Sequence, residues 1–162
     1  MSQTVTQLQQ VTAFLLASLK PYVTANTIDA WQEGGSLILS GEDLGTGGYQ
    51  VAKWKHRATI AFEKFPHHRV NPYNLLAMLA AFLIDSGWPR DEYQLSDPEL
   101  DIDPVSKDNA TVLIELELMD DIDLIPDAAG PVMFNGQRYR VALVPVNVAE
   151  EVDVQTQPGG AS

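Results

Sequence analysis

Tyr49-Gln50-Val51-Ala52-Lys53-Trp54-Lys55-His56-Arg57-Ala58-Thr59-Ile60-Ala61-Phe62-Glu63-Lys64-Phe65 decides the fold, because its alternation between two faces outlasts that of most strands. From Val51 onward one phase carries Lys53, Lys55, Arg57, Thr59, Ala61 and Glu63, and the other carries Trp54, His56, Ala58, Ile60, Phe62 and Lys64. A two-residue period of this kind buries one face and leaves the other wet. The chain then turns through Phe65-Pro66-His67-His68-Arg69-Val70 and enters a helix, with Asn71 as its cap and Pro72 at its first position. Leu75, Leu76, Leu79, Phe82 and Leu83 form the buried stripe of that helix, and Gly87 after Ser86 stops it.

Toward the amino terminus, Leu8, Val11, Leu15 and Leu19 predict a helix from about Val5 to Lys20, with Thr4 and Gln7 as a capping box and Pro21 as its end. Segments Thr27 to Gln32 and Ser36 to Leu39 flank Glu33-Gly34-Gly35, which reads as a hairpin connection, and Gly41 to Gly48 reads as a mobile link. Toward the carboxyl terminus, Tyr93 to Asp103 is an acidic, proline-punctuated loop holding a short edge strand. Ala110 to Met119 alternates as a central strand, with Val112, Ile114, Leu116 and Leu118 on one face and Glu115 and Glu117 on the other, and Asp120 to Pro126 either continues it or turns outward. Val132-Met133-Phe134 and Gln137 to Val141 flank Asn135-Gly136, the strongest hairpin signal in the chain, and the second strand is expected to extend through Val148. The expected fold is α+β, a mixed, mostly antiparallel sheet of five to seven strands with the two main helices packed on one face. Residues 1–148 read as one domain and 149–162 as a flexible acidic and glycine-rich tail.

Composition narrows the function. A chain of 162 residues buries roughly 70% of its unfolded surface and needs no metal or disulfide to hold it. There are no cysteines, so thiolate catalysis and thiolate metal sites are excluded. No apolar run approaches the roughly 20 residues of a membrane span, and the amino terminus lacks the basic start and cleavage site of a signal peptide, so a soluble cytosolic protein is expected. Net charge of -12 repels nucleic acid and anionic membrane, which removes both from the expected partners. The charge is also uneven. Five of the ten basic residues and all three histidines lie between Lys53 and Arg69, whereas eleven of the 22 acids lie between Asp97 and Asp127. Two complementary patches meeting across a repeated subunit contact would explain this, as would two solvated sheet faces.

Candidate chemistry is thin. His67-His68 lack the spacing of paired metal ligands, and the acidic series Asp97 to Asp103 and Asp120 to Asp123 lack the glycine and closing glutamate of a calcium loop. Gly45-Thr46-Gly47-Gly48 precedes a strand instead of a helix and has no Lys-Ser/Thr ending, which argues against a phosphate loop. Glu115 and Glu117 share a face but no cleft is marked around them. No enzyme activity and no cofactor or metal are expected.

In order and spacing, the strand Lys55 to Phe62, the helix Leu75 to Leu83, the strand Val112 to Leu118 and the Val132 to Gly136 hairpin resemble the tail completion proteins of contractile-tailed temperate phages, the gpR type. The resemblance covers about the central and C-terminal two thirds of the chain. It implies a structural protein that caps the head-proximal end of the tail tube or sheath and prepares head joining. The implied partners are tail subunits and further copies of itself in a ring, a hexamer by analogy with tail terminators. It also implies assembly in the cytoplasm of the bacterial host and a final place in the virion tail. It carries no residue roles with it. From the residues themselves, a closing ring needs two different patches per subunit. Lys53, Lys55 and Arg57 set against Asp120, Asp121 and Asp123 of a neighbour would steer such a contact, with Trp54, Phe65 and Trp88 as apolar anchors. A different class of reading is a small cytosolic module that binds a basic protein through its acidic 97–127 face.

Overall fold

The computed structural model describes residues 4–144. Two 17-residue strands dominate it, β3 (Tyr49–Phe65) and β5 (Ala110–Pro126), paired antiparallel along almost their whole length. Register places Phe62 opposite Val112, Ile60 opposite Ile114, Ala58 opposite Leu116 and His56 opposite Leu118, so the apolar phases of both strands share one face. Helices α1 (Gln7–Leu19) and α2 (Pro72–Asp85) cover that face together, through Leu8, Val11, Leu15 and Leu19 of the first and Leu75, Leu79 and Leu83 of the second. Phe14 stacks on Phe82 with ring centroids 4.7 Å apart and joins the helices. Each fully buried aliphatic or aromatic side chain here contributes roughly 1.5–3 kcal/mol.

Strand β2 (Ile28–Asp43) lies outside β3, while β4 (Glu99–Pro104), β6 (Val132–Phe134) and β7 (Gln137–Val141) complete a six-stranded antiparallel sheet. The order β2-β3-β5-β7-β6 has β4 attached to β5 beside the start of that strand. A separate parallel pair joins β1 (Thr4–Val5) to β8 (Leu143–Val144). The α+β class, the mostly antiparallel sheet and the two helices on one face agree with the sequence.

Several boundaries differ. The Glu33-Gly34-Gly35 hairpin does not form, because β2 is one continuous strand with a bulge between Gln32 and Gly35. Gly35 serves close approach: a Cβ there would stand 2.0 Å from the carbonyl oxygen of Lys55. The turn into β3 lies in the expected link instead, where Leu44 donates its N–H to Gly48 O at 3.0 Å and Gly45 and Gly47 take positive φ of 78° and 89°. Helix α1 is capped by Thr6, whose hydroxyl accepts from Gln9 N, since pairing with β8 holds Thr4 and Val5 extended. Asn71 caps α2 as expected by accepting from Tyr73 N at 2.9 Å. Lys64 sits at φ 58° in a register shift between Phe62 and Phe65, which puts Lys64 outside and turns Phe65 into the core. Strand β7 ends at Val141 and the chain pairs again at Leu143–Val144, there with β1 in place of the main sheet; the expected extension through Val148 and the expected tail fall in residues 145–162, outside the described residues.

One edge of β5 is shared. Strand β4 pairs with residues 110–115 and β7 with residues 124–126, which leaves a gap between them. Three unrelated groups close it: the Arg90 guanidinium donates to Glu117 O at 2.6 Å, the Gln7 side-chain oxygen accepts from Met119 N at 3.0 Å, and Ala142 N donates to Asp123 O at 2.9 Å. Buried backbone groups that would otherwise lack partners are thereby satisfied.

Replacing Gly35 by alanine is expected to cost about 2 kcal/mol or more in urea unfolding, because the neighbouring backbone must shift to admit the methyl group. Gly34→Ala, whose added atom meets nothing nearer than Arg57 Nη2 at 3.9 Å, is expected to stay within about 0.5 kcal/mol.

Candidate functional site

The sheet extends well past the helices. Strands of 17 residues span about 55 Å, whereas helices of 13 and 14 residues span about 20 Å. Beyond the covered end, every residue of β2 from Trp31 to Asp43 is exposed except the half-buried Ile38. Leu37 and Leu39, opposite Trp54 and Ala52 of β3, are 57% and 78% exposed. They continue the apolar phase that is buried under the helices at the other end of the strands.

The charged residues on this ribbon are largely paired within the chain. Lys53 Nζ lies 2.8 Å from Asp121 Oδ1 on the adjacent strand. Burial works against the Lys53 ammonium, but the hydrogen bond and the charge of Asp121 outweigh it, and its pKa is raised above the ordinary lysine value. Lys55 donates to the carbonyl of Tyr93, and Arg57 stands 3.9 Å from Glu33. The basic strand and the acidic strand that the sequence sets against one another across subunits are therefore neighbours in one subunit.

Asp120 and Phe65 do not belong to any exposed patch. Phe65 is fully enclosed, in edge-to-face contact with Phe62, and offers no anchor to a neighbour. Asp120 is 3% exposed and bonds inward, its Oδ2 3.0 Å from Nε2 of the equally buried His56 and its Oδ1 accepting the backbone N–H of Gln7 at 2.8 Å. It joins the first turn of α1 to the centre of the sheet, where a carboxylate is also favoured by the helix dipole. Trp54, stacked on His56 at 5.6 Å, and Trp88, edge-on to Phe82 at 5.6 Å, are partly covered within the chain. Asp123 accepts from Gln50, and burial raises its pKa, with Asp121 and Glu42 adding in the same direction.

Residues weighed for chemistry are held by backbone contacts. The turn histidines fasten the 65–70 bend to the loop before β5, His67 Nε2 meeting Ser106 O at 3.1 Å and His68 Nδ1 meeting Asp108 O at 2.8 Å. Glu117 accepts the Ser96 N–H at 2.7 Å, and that bond holds its carboxyl below the ordinary range. Among the described residues no group of three or more histidines and acids is placed to hold a metal ion, and no helix is long and apolar enough to cross a membrane. A cleft of about 530 Å³ lies between α2 and the loop before β4 and is lined chiefly by apolar side chains such as Leu76, Leu83, Trp88 and Leu95. Sequence reasoning missed Gln7, His56 and Arg90 as organisers. Only the placement of His56 on the buried phase of β3 could have flagged one of them.

Removing the carboxylate with Asp120→Ala leaves His56 and Gln7 N without their partner and is expected to cost about 3 kcal/mol or more in chemical denaturation. Asp123→Asn has the opposite sign. The native pKa is raised, so the fold favours the neutral form; the variant is expected to melt higher at pH 7, and its advantage should vanish once the pH falls below the unfolded pKa, where both states are protonated.

The family described as P2 phage tail completion protein R (GpR) matches residues 5–143, and an uncharacterized 19.2 kDa protein from the rep-hol intergenic region of Haemophilus phage HP1 (strain HP1c1) is 26% identical over 146 residues, which is 90% of this chain and 87% of the phage protein. No solved structure matches the chain. The chain belongs to the P2 phage tail completion protein R family.

Proposed function

We propose, taking membership of the tail completion family as the premise, that this protein caps the head-proximal end of a phage tail and prepares it to join the head, acting as a ring of identical subunits. Its role is structural. The observation that carries the reading is the family match across residues 5–143, which spans both helices and all the strands of the main sheet. The exposed stretch of β2 from Trp31 to Asp43 supports it, since an exposed strand with outward leucines is a surface that assembly covers. The proposed partners are further copies of the chain, as a hexamer, and tail tube or sheath subunits. Assembly takes place in the cytoplasm of the bacterial host, and the protein remains in the virion tail.

Within the ring, Trp54 and Trp88 retain partial exposure and serve as secondary apolar contacts. Lys53, Lys55 and Arg57, tied to Asp121, Tyr93 and Glu33 of their own chain, shape the ribbon more than they recruit a neighbour.

In a lysogen that encodes the chain, deleting its gene is expected to yield filled heads and tails that fail to join, with joining restored when the purified protein is added to the lysate. Joined, infectious particles formed in its absence would refute the proposal.

A further inference from the structure

The six-stranded sheet ends in two free edges of opposite charge. Strand β2 carries Asp29, Glu33, Glu42 and Asp43 and no basic residue; the β6–β7 hairpin at the other end, residues 132–141, carries Arg138 and Arg140 and no acid. Among the described residues no strand pairs with the outer edge of either β2 or β6. Both edges also present apolar side chains to solvent, Leu37 and Leu39 on the first, and Met133 and Val141, 56% and 41% exposed, on the second. Arg138 is exposed and lies directly opposite Met133 of the edge strand, and its guanidinium donates to Gly130 O at 3.3 Å, just ahead of that strand.

The remaining free edge behaves differently. Strand β4 bears Glu99, Asp101 and Asp103 and ends at Pro104, the acids and proline that keep strands from pairing with strangers. Strand β2 has no such defence over Ser36-Leu37-Ile38-Leu39-Ser40, which is uncharged, rich in β-forming residues and free of proline. An acidic β4 also repels the acidic ends of β2, which leaves the β6–β7 hairpin as the complementary edge on this chain.

We infer that the acidic, leucine-bearing β2 edge of one copy docks on the basic β6–β7 edge of the next. This deepens the ring reading and rests on it. The two surfaces differ and sit at opposite ends of one sheet, so the contact is heterologous and repeats from copy to copy until it closes. Main-chain pairing and the exposed leucines supply adhesion, and the charges set orientation and suppress β2 against β2. The contact uses different residues from the Lys53 to Arg57 strand; on the two edges Glu33 is engaged with Arg57 and Arg140 lies 3.6 Å from Asp127, so Glu42, Asp43 and the exposed Arg138 carry the charge complementarity.

Charge reversal on each edge tests the inference. Glu42→Lys and Arg138→Glu are made singly, mixed together, and combined in one chain, and native mass is measured over a range of protein concentration, with thermal melts confirming that each variant folds. Each single reversal is expected to weaken self-association about tenfold or more, through like charges facing one another. Mixing the two variants, or combining both reversals, is expected to restore it, because the charge introduced on one edge is then opposite in sign to the charge introduced on the other. Wild-type protein that stays monomeric at every concentration would overturn the inference, as would folded single variants that assemble normally or a mixture that does not recover. None of these failures touches joining of heads to tails in the deletion lysate, which judges the tail reading separately.

Discussion

The structure depends on a mismatch of length. Two strands of 17 residues pair along one another, but the helices that supply the other half of the core reach less than half as far. Under the helices the apolar phase of the ribbon is buried, and Ile60, Phe62, Val112 and Ile114 have no exposed surface. Farther along, the same phase continues onto Leu37 and Leu39, which nothing among the described residues covers. A stable core at one end thus holds out a stiff sheet at the other, and the chain gains an extended surface whose position is fixed by the core.

Interior polar contacts make that arrangement unique. The shared edge of β5 has a gap between β4 and β7 that only side chains and a terminal segment can close, and Arg90, Gln7 and Ala142 each close part of it. Asp120, bonded to His56 and to the first turn of α1, fixes the helix against the sheet. A buried carboxylate with two inward partners costs a great deal to leave unpaired, so it disfavours any other docking of the helix. The histidines and Glu117, which would interest a hydrolytic reading, are similarly spent on fixing loops.

Much of the fold was legible, because it is written in local signals. The alternation in β3 and β5, the Asn71-Pro72 start of α2 and the Asn135-Gly136 hairpin each depend on residues within a few positions of one another. Errors arose where a residue answers to a distant strand. Gly34-Gly35 has the composition of a turn, but Gly35 is small because the backbone of Lys55 passes against it. Alternation places Lys64 on the apolar phase, but a bulge moves it out and Phe65 in. The charge asymmetry is real, but sequence cannot show that its two halves are adjacent strands, so Lys53 and Asp121, set against one another across subunits, pair within one chain. Asp120 reads like its neighbours Asp121 and Asp123, and only the register with Trp54 and the approach of Gln7 distinguish it.

Hydrogen exchange compared between the free protein and the protein incorporated in tails tests most directly whether the uncovered end of the sheet is the assembly surface. The account predicts new protection concentrated in residues 28–43 and 132–141, with the amides beneath the helices unchanged. New protection confined to α2 and the cleft beside it, or none on β2, would contradict it.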